Sequence, residues 1–244
     1  MADGAGNLPR DWSRRVTTLD PRLMLWLSPA FPVGAFAFSH GLEQAASHQW
    51  VRDARTLEAW LRDLVQWGSL RNDLVLLAAA WRATVGGDLA ALRSVADLAL
   101  ALQPSAERHL ESRTQGNAFL ATILAAWPCE ALDFVRAGVT GSGGHDTAYP
   151  VAVGSVAAAH AITLDASLIG YALAFIGNLV SAAIRLSVVG QTDGQRVMAA
   201  LLSDLQAAAT VAVNSTLDDL GSATFRSDLA QLAHETQYSR LFRS

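Results

Sequence analysis

The 244-residue chain contains no lysine: all 18 of its basic residues are arginine. Without lysine there is no P-loop side chain to reach a nucleotide's phosphates, no Schiff base and no lysine general base. Cysteine is almost as scarce. Cys129 alone excludes an internal disulfide and every multi-cysteine zinc pattern. Charged residues make up only 16% of the chain and the net charge is −4, so the scattered arginines form no basic stripe of the kind that backbone phosphates require. Nucleic acid is therefore not an expected partner. No charged segment followed by an apolar one opens the sequence, and the cytoplasm is the expected location.

What the chain does have is helix-forming material. Its 45 alanines and 35 leucines are a third of its residues, and both types lose little on entering a helix. No strand alternation, internal repeat or linker is visible. The expectation is an all-α, single-domain helical bundle of roughly eight to ten helices. Residues 1–18 read as a flexible N-terminal tail, 19–237 as the domain and 238–244 as a C-terminal docking tail.

Asp20-Pro21 is a helix start, and Pro29, Pro32 and Gly34 break the short helix that follows. Helical residues resume from Phe36 to Trp50. Leu57, Trp60, Leu61 and Leu64 mark one apolar stripe, with Glu58 and Arg62 paired opposite it. Gly68 and Asn72 suggest a break or bend before residues 74–85, Gly86-Gly87 ends that stretch, and Asp88 caps the next helix. A long helix is expected over 106–127, a glycine-rich loop over 138–147, and two nearly all-apolar helices over 150–162 and 165–189. Thr192 and Gln195 fit a capping box, with Val197, Leu201, Leu202 and Leu205 on the buried face beyond it. A final helix is expected over 226–236. The run from Ala166 to Ile184 has the length of a membrane span. Asn178, Ser181 and Arg185 recur on it at helical spacing and its glycines thin the hydrophobicity, so it reads as a buried core helix and not a span.

No catalytic constellation emerges. Gly141-Ser142-Gly143-Gly144 lacks the spacing of either phosphate-binding glycine motif, and Ser142 lacks the nucleophile elbow. The six histidines, His40, His48, His109, His145, His160 and His234, form no H-E-x-x-H, so no metal ligand is assigned. Asp218-Asp219 reads as a solvated helix end. The expectation is a non-enzyme.

Three non-catalytic features stand out. Residues Ser28 to Glu43 combine two prolines with Gly34, Phe36, Phe38, His40 and Gly41, a rigid corner that either packs as a turn or presents aromatics to a partner. Asn178, Ser181 and Arg185 form a polar seam whose guanidinium calls for an internal salt bridge or a partner. The terminus, Tyr238-Ser239-Arg240-Leu241-Phe242-Arg243-Ser244, carries interface-type residues where chain ends are usually polar. It docks on another chain or folds back on its own core.

The same segments carry a resemblance. Ser28-Pro29-Ala30-Phe31-Pro32-Val33-Gly34-Ala35-Phe36, Ser39-His40-Gly41-Leu42-Glu43, Glu111-Ser112 with Gly116, Tyr149-Pro150-Val151-Ala152, Gly190 through Arg196 and Tyr238 through Ser244 occur in the order seen in the UreF family of urease accessory proteins, which the chain resembles over roughly 20–244. Ala37-Phe38 stands where that family often has Ser-Tyr, and Ala148 where His is frequent. The resemblance implies an all-helical protein, commonly a homodimer, acting with UreD (also called UreH) and the GTPase UreG as a scaffold or chaperone for nickel insertion into apo-urease. It implies no cofactor of its own, nickel being handled by the complex. Expected partner-binding residues are Phe36, Phe38, His40 and Glu43 in the corner, Arg185, the Gln191, Thr192, Asp193, Gly194 and Arg196 turn, and Tyr238, Ser239, Arg240, Leu241 and Phe242 in the tail. The alternative is a regulator of UreG's GTP hydrolysis, a GTPase-activating or checkpoint factor, with Arg185, Arg196 or Arg240 supplied in trans.

Overall fold

A computed structural model of the chain describes residues 20–140 and 146–244. The N-terminal tail and the Gly141–His145 part of the expected loop lie outside the described residues. Asp20 caps the first helix as its sequence implies: its carboxylate accepts the Arg22 N–H at 2.9 Å and Pro21 fills the first turn of α1 (Pro21–Trp26). The expected helix over 36–50 is not continuous. A single 3-10 turn at Ala35–Ala37 is followed by the six-residue α2 (Leu42–Ser47), because Gly34, His40 and Gly41 adopt left-handed φ values of +74°, +54° and +73°. Gly41 admits no side chain, since a Cβ there would lie 2.8 Å from the backbone nitrogen of Gln231.

The amphipathic stripe becomes α3 (Ala54–Trp67), opened by a reciprocal Asp53–Thr56 capping box, with Leu57, Leu61 and Leu64 buried. Arg62 bonds Glu58 at 2.8 Å on the opposite face. Gly68 separates α3 from α4 (Ser69–Val85), but Asn72 sits inside α4 and makes no bend. Asp88 caps α5 (Leu89–Ala101) and Ser105 caps α6 (Ala106–Ala126). Sequence pattern does not anticipate α7 (Leu132–Val139), which absorbs Gly138 where a loop is expected; there the missing side chain lets α7 approach Leu92 of α5.

The core is organised around α8 (Tyr149–Ala159), buried along most of its length. It crosses α4 so closely that a Cβ at Gly154 would overlap the Leu77 carbonyl. The span-like segment is α9 (Leu164–Arg185), which buries Leu168, Ile176, Leu179 and Ala183 in that core. Next comes α10 (Gln191–Asn214), long and apolar enough to cross a membrane, as α9 is. It starts earlier than expected, with Gly190 as its N-cap, so Thr192 and Gln195 lie within the helix and form no capping box. Leu202, expected in the core, is 43% exposed on α10's outer side. A short 3-10 turn at Leu217–Asp219 and α11 (Phe225–His234) complete an all-α architecture without a strand among the described residues.

Candidate functional site

The C-terminal segment folds back across the corner. Glu43, the first-turn acid of α2, is its anchor: Oε1 accepts the Leu241 N–H at 2.7 Å and Oε2 accepts the Phe242 N–H at 3.0 Å. Hydrogen bonds to an ionised acceptor are among the stronger ones available to a backbone amide. Arg243 N–H donates to the Ala37 carbonyl at 2.8 Å, Ser39 N–H and its hydroxyl both donate to the Ser244 carbonyl, and the Ser244 hydroxyl donates to Glu111 Oε2 at 3.1 Å. Corner and tail thus complete each other's backbone hydrogen bonds.

A second carboxylate ties this junction to α11. His234, wholly buried, bridges Glu43 Oε2 at 3.1 Å and Glu107 Oε2 at 2.7 Å, while Glu107 Oε1 accepts from Arg240 at 2.7 Å. Phe242 is only 3% exposed, and the Arg185 guanidinium lies over its ring at 4.3 Å. The expected salt bridge of Arg185 is replaced by this ring contact. Partial desolvation, with no carboxylate beside it among the described residues, lowers the Arg185 guanidinium's pKa from its usual value. Asn178, next on the seam, donates to the Phe38 carbonyl at 3.3 Å.

Behind the corner lies a cavity of about 700 Å³ between residues 23–36, α6 and α9. Its floor is ionic. Arg108 Nη1 contacts Glu111 Oε2 at 2.7 Å, Glu111 Oε1 is 2.6 Å from His40 Nε2, and Asp73 Oδ2 accepts the Tyr171 hydroxyl at 2.8 Å. Burial works against Glu111's charge, but the Arg108 guanidinium and the His40 contact outweigh it and bring its carboxyl down to about 2. Asp73 goes the other way: burial raises it to about 6, and Arg108, 4.0 Å off, offsets only part of that. Burial and the field of Arg108 favour the neutral His40 ring.

The expected partner-binding residues divide by exposure. Phe38, His40, Glu43 and Phe242 are buried within this chain, Glu43 bonding the tail's backbone and His40 lying against Glu111 in the cavity floor. Phe36 is 69% exposed, Leu241 63%, and Tyr238 is wholly exposed, with Ser239 and Arg240 beside it. Gln191, Thr192 and Arg196 lie on the surface of α10's first turns, where Arg196 pairs with Asp193 at 2.7 Å. Gly194 instead packs against Val180 and Ile184 of α9. Exposed Phe225, Leu229 and Leu232 add an apolar stripe along α11.

Sequence reasoning missed Asp73, Arg108, Tyr171, Glu107 and His234. The available signal was the spacing of Arg108, Glu111, Ser112 and Gln115, a polar face at helical period on α6 that reads as solvent-facing until a neighbouring element covers it.

Comparison with known proteins gives one consistent result. The family described as UreF matches residues 51–202. The urease accessory protein UreF of Methylobacterium radiotolerans is 54% identical over 223 residues, covering 91% of this chain and 96% of that protein. Those of Methylorubrum populi and Rhodopseudomonas palustris strain BisA53 are each 52% identical over 91% of this chain, and 98% and 92% of their own lengths are covered. These relatives are named as accessory proteins, not as catalysts.

Proposed function

This chain belongs to the UreF family of urease accessory proteins and is not an enzyme, and on that premise we propose that it serves urease maturation as a scaffold. It holds UreD/UreH and nickel- and GTP-loaded UreG together so that nickel, as cargo, reaches apo-urease; it works in the cytoplasm, as a homodimer, away from membranes and nucleic acid, and contributes geometry without bond-making. The observation that carries this reading is the corner–tail junction, in which buried Glu43 and Phe242 fix the backbone while Phe36, Tyr238 and Leu241 stay exposed beside it. Rigid apolar anchors of this kind bind partners at low entropic cost.

The test is co-elution with UreD. The full chain should form the complex, and Tyr238→Ala with Leu241→Asp, both surface changes, should abolish it while the melting temperature holds. An intact complex with the double variant, or with residues 238–244 deleted, would overturn the assignment of the tail.

A second reading, regulation of UreG by an arginine in trans, is favoured by Arg196, whose side chain is more open than that of Arg240 and is ion-paired only within its own helical turn, whereas Arg185 is engaged over the Phe242 ring. Arg196→Ala should then lower UreG's GTP hydrolysis in the complex, and an unchanged rate dismisses this reading while leaving the scaffold.

A further inference from the structure

Helices α2, α6 and α11 meet the tail around one buried ring. His234, the last residue of α11, is wholly buried, with Nε2 3.1 Å from Glu43 Oε2 and Nδ1 2.7 Å from Glu107 Oε2. Each contact sets a ring nitrogen against a carboxylate oxygen, so each needs a hydrogen between the two atoms. A neutral imidazole carries one hydrogen and serves only one of these neighbours.

The carboxylates are not the source of the second. Both oxygens of Glu43 are committed as acceptors, to the Leu241 N–H at 2.7 Å and the Phe242 N–H at 3.0 Å. Glu107 Oε1 accepts from the Arg240 guanidinium at 2.7 Å, and Glu107 lies in the first turn of α6, where the helix dipole favours an anion. His234 stands at the opposite kind of end, in the last turn of α11, where a cation is favoured. Both hydrogens therefore belong to the ring. Two carboxylates, an imidazolium and a guanidinium then cancel one another's charge, as a buried cluster requires.

We propose that a proton on His234 latches the C-terminal tail: the corner–tail junction closes around the charged ring and opens when the ring is neutral. Facing the ring are Glu43 from α2, Glu107 from α6 and, through Glu107, Arg240 from the tail. Loss of the proton turns one of the two contacts into lone pair against lone pair in a buried place. Relief comes when Glu43 turns away and frees the Leu241 and Phe242 amides, or when Glu107 turns away and frees Arg240. Tyr238 and Leu241, the exposed apolar groups of the tail, lose their fixed positions in either case. The latched state holds one more proton than the open one, so the latch is tight at the acid end of histidine's range and weakens as the pH rises, by at most about tenfold per pH unit. The latch is a property of this chain alone. Only its consequence, partner capture that weakens with rising pH, rests on the scaffold reading.

Amide exchange of the full chain tests it, expressed as protection relative to the unstructured rate so that ordinary base catalysis cancels. Between about pH 6 and about pH 9, protection at Leu241 and Phe242 should fall at least about tenfold more than that of the α4 and α8 core amides, the reference that removes titration of the cavity floor. Nitrogen NMR of the His234 ring should show both nitrogens protonated at the acid end, one hydrogen being lost in step with the protection. Glu107→Gln is the decisive variant. Its amide donates to Nδ1 while its carbonyl still accepts from Arg240, so a neutral ring satisfies both neighbours and tail protection should become independent of pH. Level protection in the parent chain, a singly protonated ring beneath a protected tail, or an unaltered profile in Glu107→Gln overturns the proposal. None of these readings uses a partner, so failure to bind UreD counts against the scaffold and not against the latch.

Discussion

Glu43 and His234 meet 3.1 Å apart although 191 positions separate them, and the same Glu43 carboxylate accepts two amides of the tail. This one side chain therefore joins α2, α11 and the C-terminal segment. Glu43→Ala leaves two amides and a buried imidazole without their acceptor. It should destabilise the tail by about 2–3 kcal/mol, the scale of a hydrogen bond to a charged group. Hydrogen exchange at the Leu241 and Phe242 amides should accelerate well before the core amides do.

The ionic floor makes opposite contributions with pH. Asp73, raised from 3.8 to about 6, binds a proton more readily folded than unfolded, so its contribution to stability falls as the pH rises from about 4 to about 6. Glu111, lowered from 4.5 to about 2, stabilises above its unfolded value, and that share is lost as the pH falls from about 4.5 towards 2. Urea unfolding across pH 4–7 should show a shallower decline for Asp73→Asn than for the parent chain.

Removing one member of the buried pair is a harsher change. Glu111→Ala leaves Arg108 charged, buried and without its 2.7 Å partner, which should cost about 3–5 kcal/mol. Denaturant midpoints should record the loss directly.

Gly154 and Gly177 should respond to alanine with opposite sign. At Gly154 the new Cβ overlaps the Leu77 carbonyl where α8 crosses α4, and backbone has to shift, so a loss of about 1–3 kcal/mol is expected. At Gly177 the Cβ enters open space within a helix, and the better helix propensity of alanine should add up to about 1 kcal/mol. A thermal melt of each variant separates the two cases.

Much of the helical scaffold was legible in the sequence because it rests on local chemistry. Asp20 and Asp88 each cap the helix that follows, and the Leu57–Leu64 stripe faces the core. The errors came where distant packing decides. Residues 36–50 have helix-compatible types, yet contact with Gln231 requires a left-handed Gly41 and breaks the run. Gly138 lies inside α7, where its missing side chain leaves room for the Leu92 side chain of α5. The tail's interface character was visible, but which surface it meets was not, since Glu43 and Phe242 are ordinary residue types until the fold brings them together. Asp73, Arg108 and Tyr171, on three different helices, carried no shared sequence signal at all.

The bond between Ser39 and Ser244 spans 205 positions of chain. Contacts of such separation are closed late, after the entropy of a long intervening loop has been overcome. During synthesis the proline-bearing corner therefore waits, with its Ser39 amide and the Ala37 carbonyl unanswered, until nearly the whole of the described polypeptide has left the ribosome. A nascent chain that lacks the tail can form the α4–α8 crossing but not the corner–tail junction.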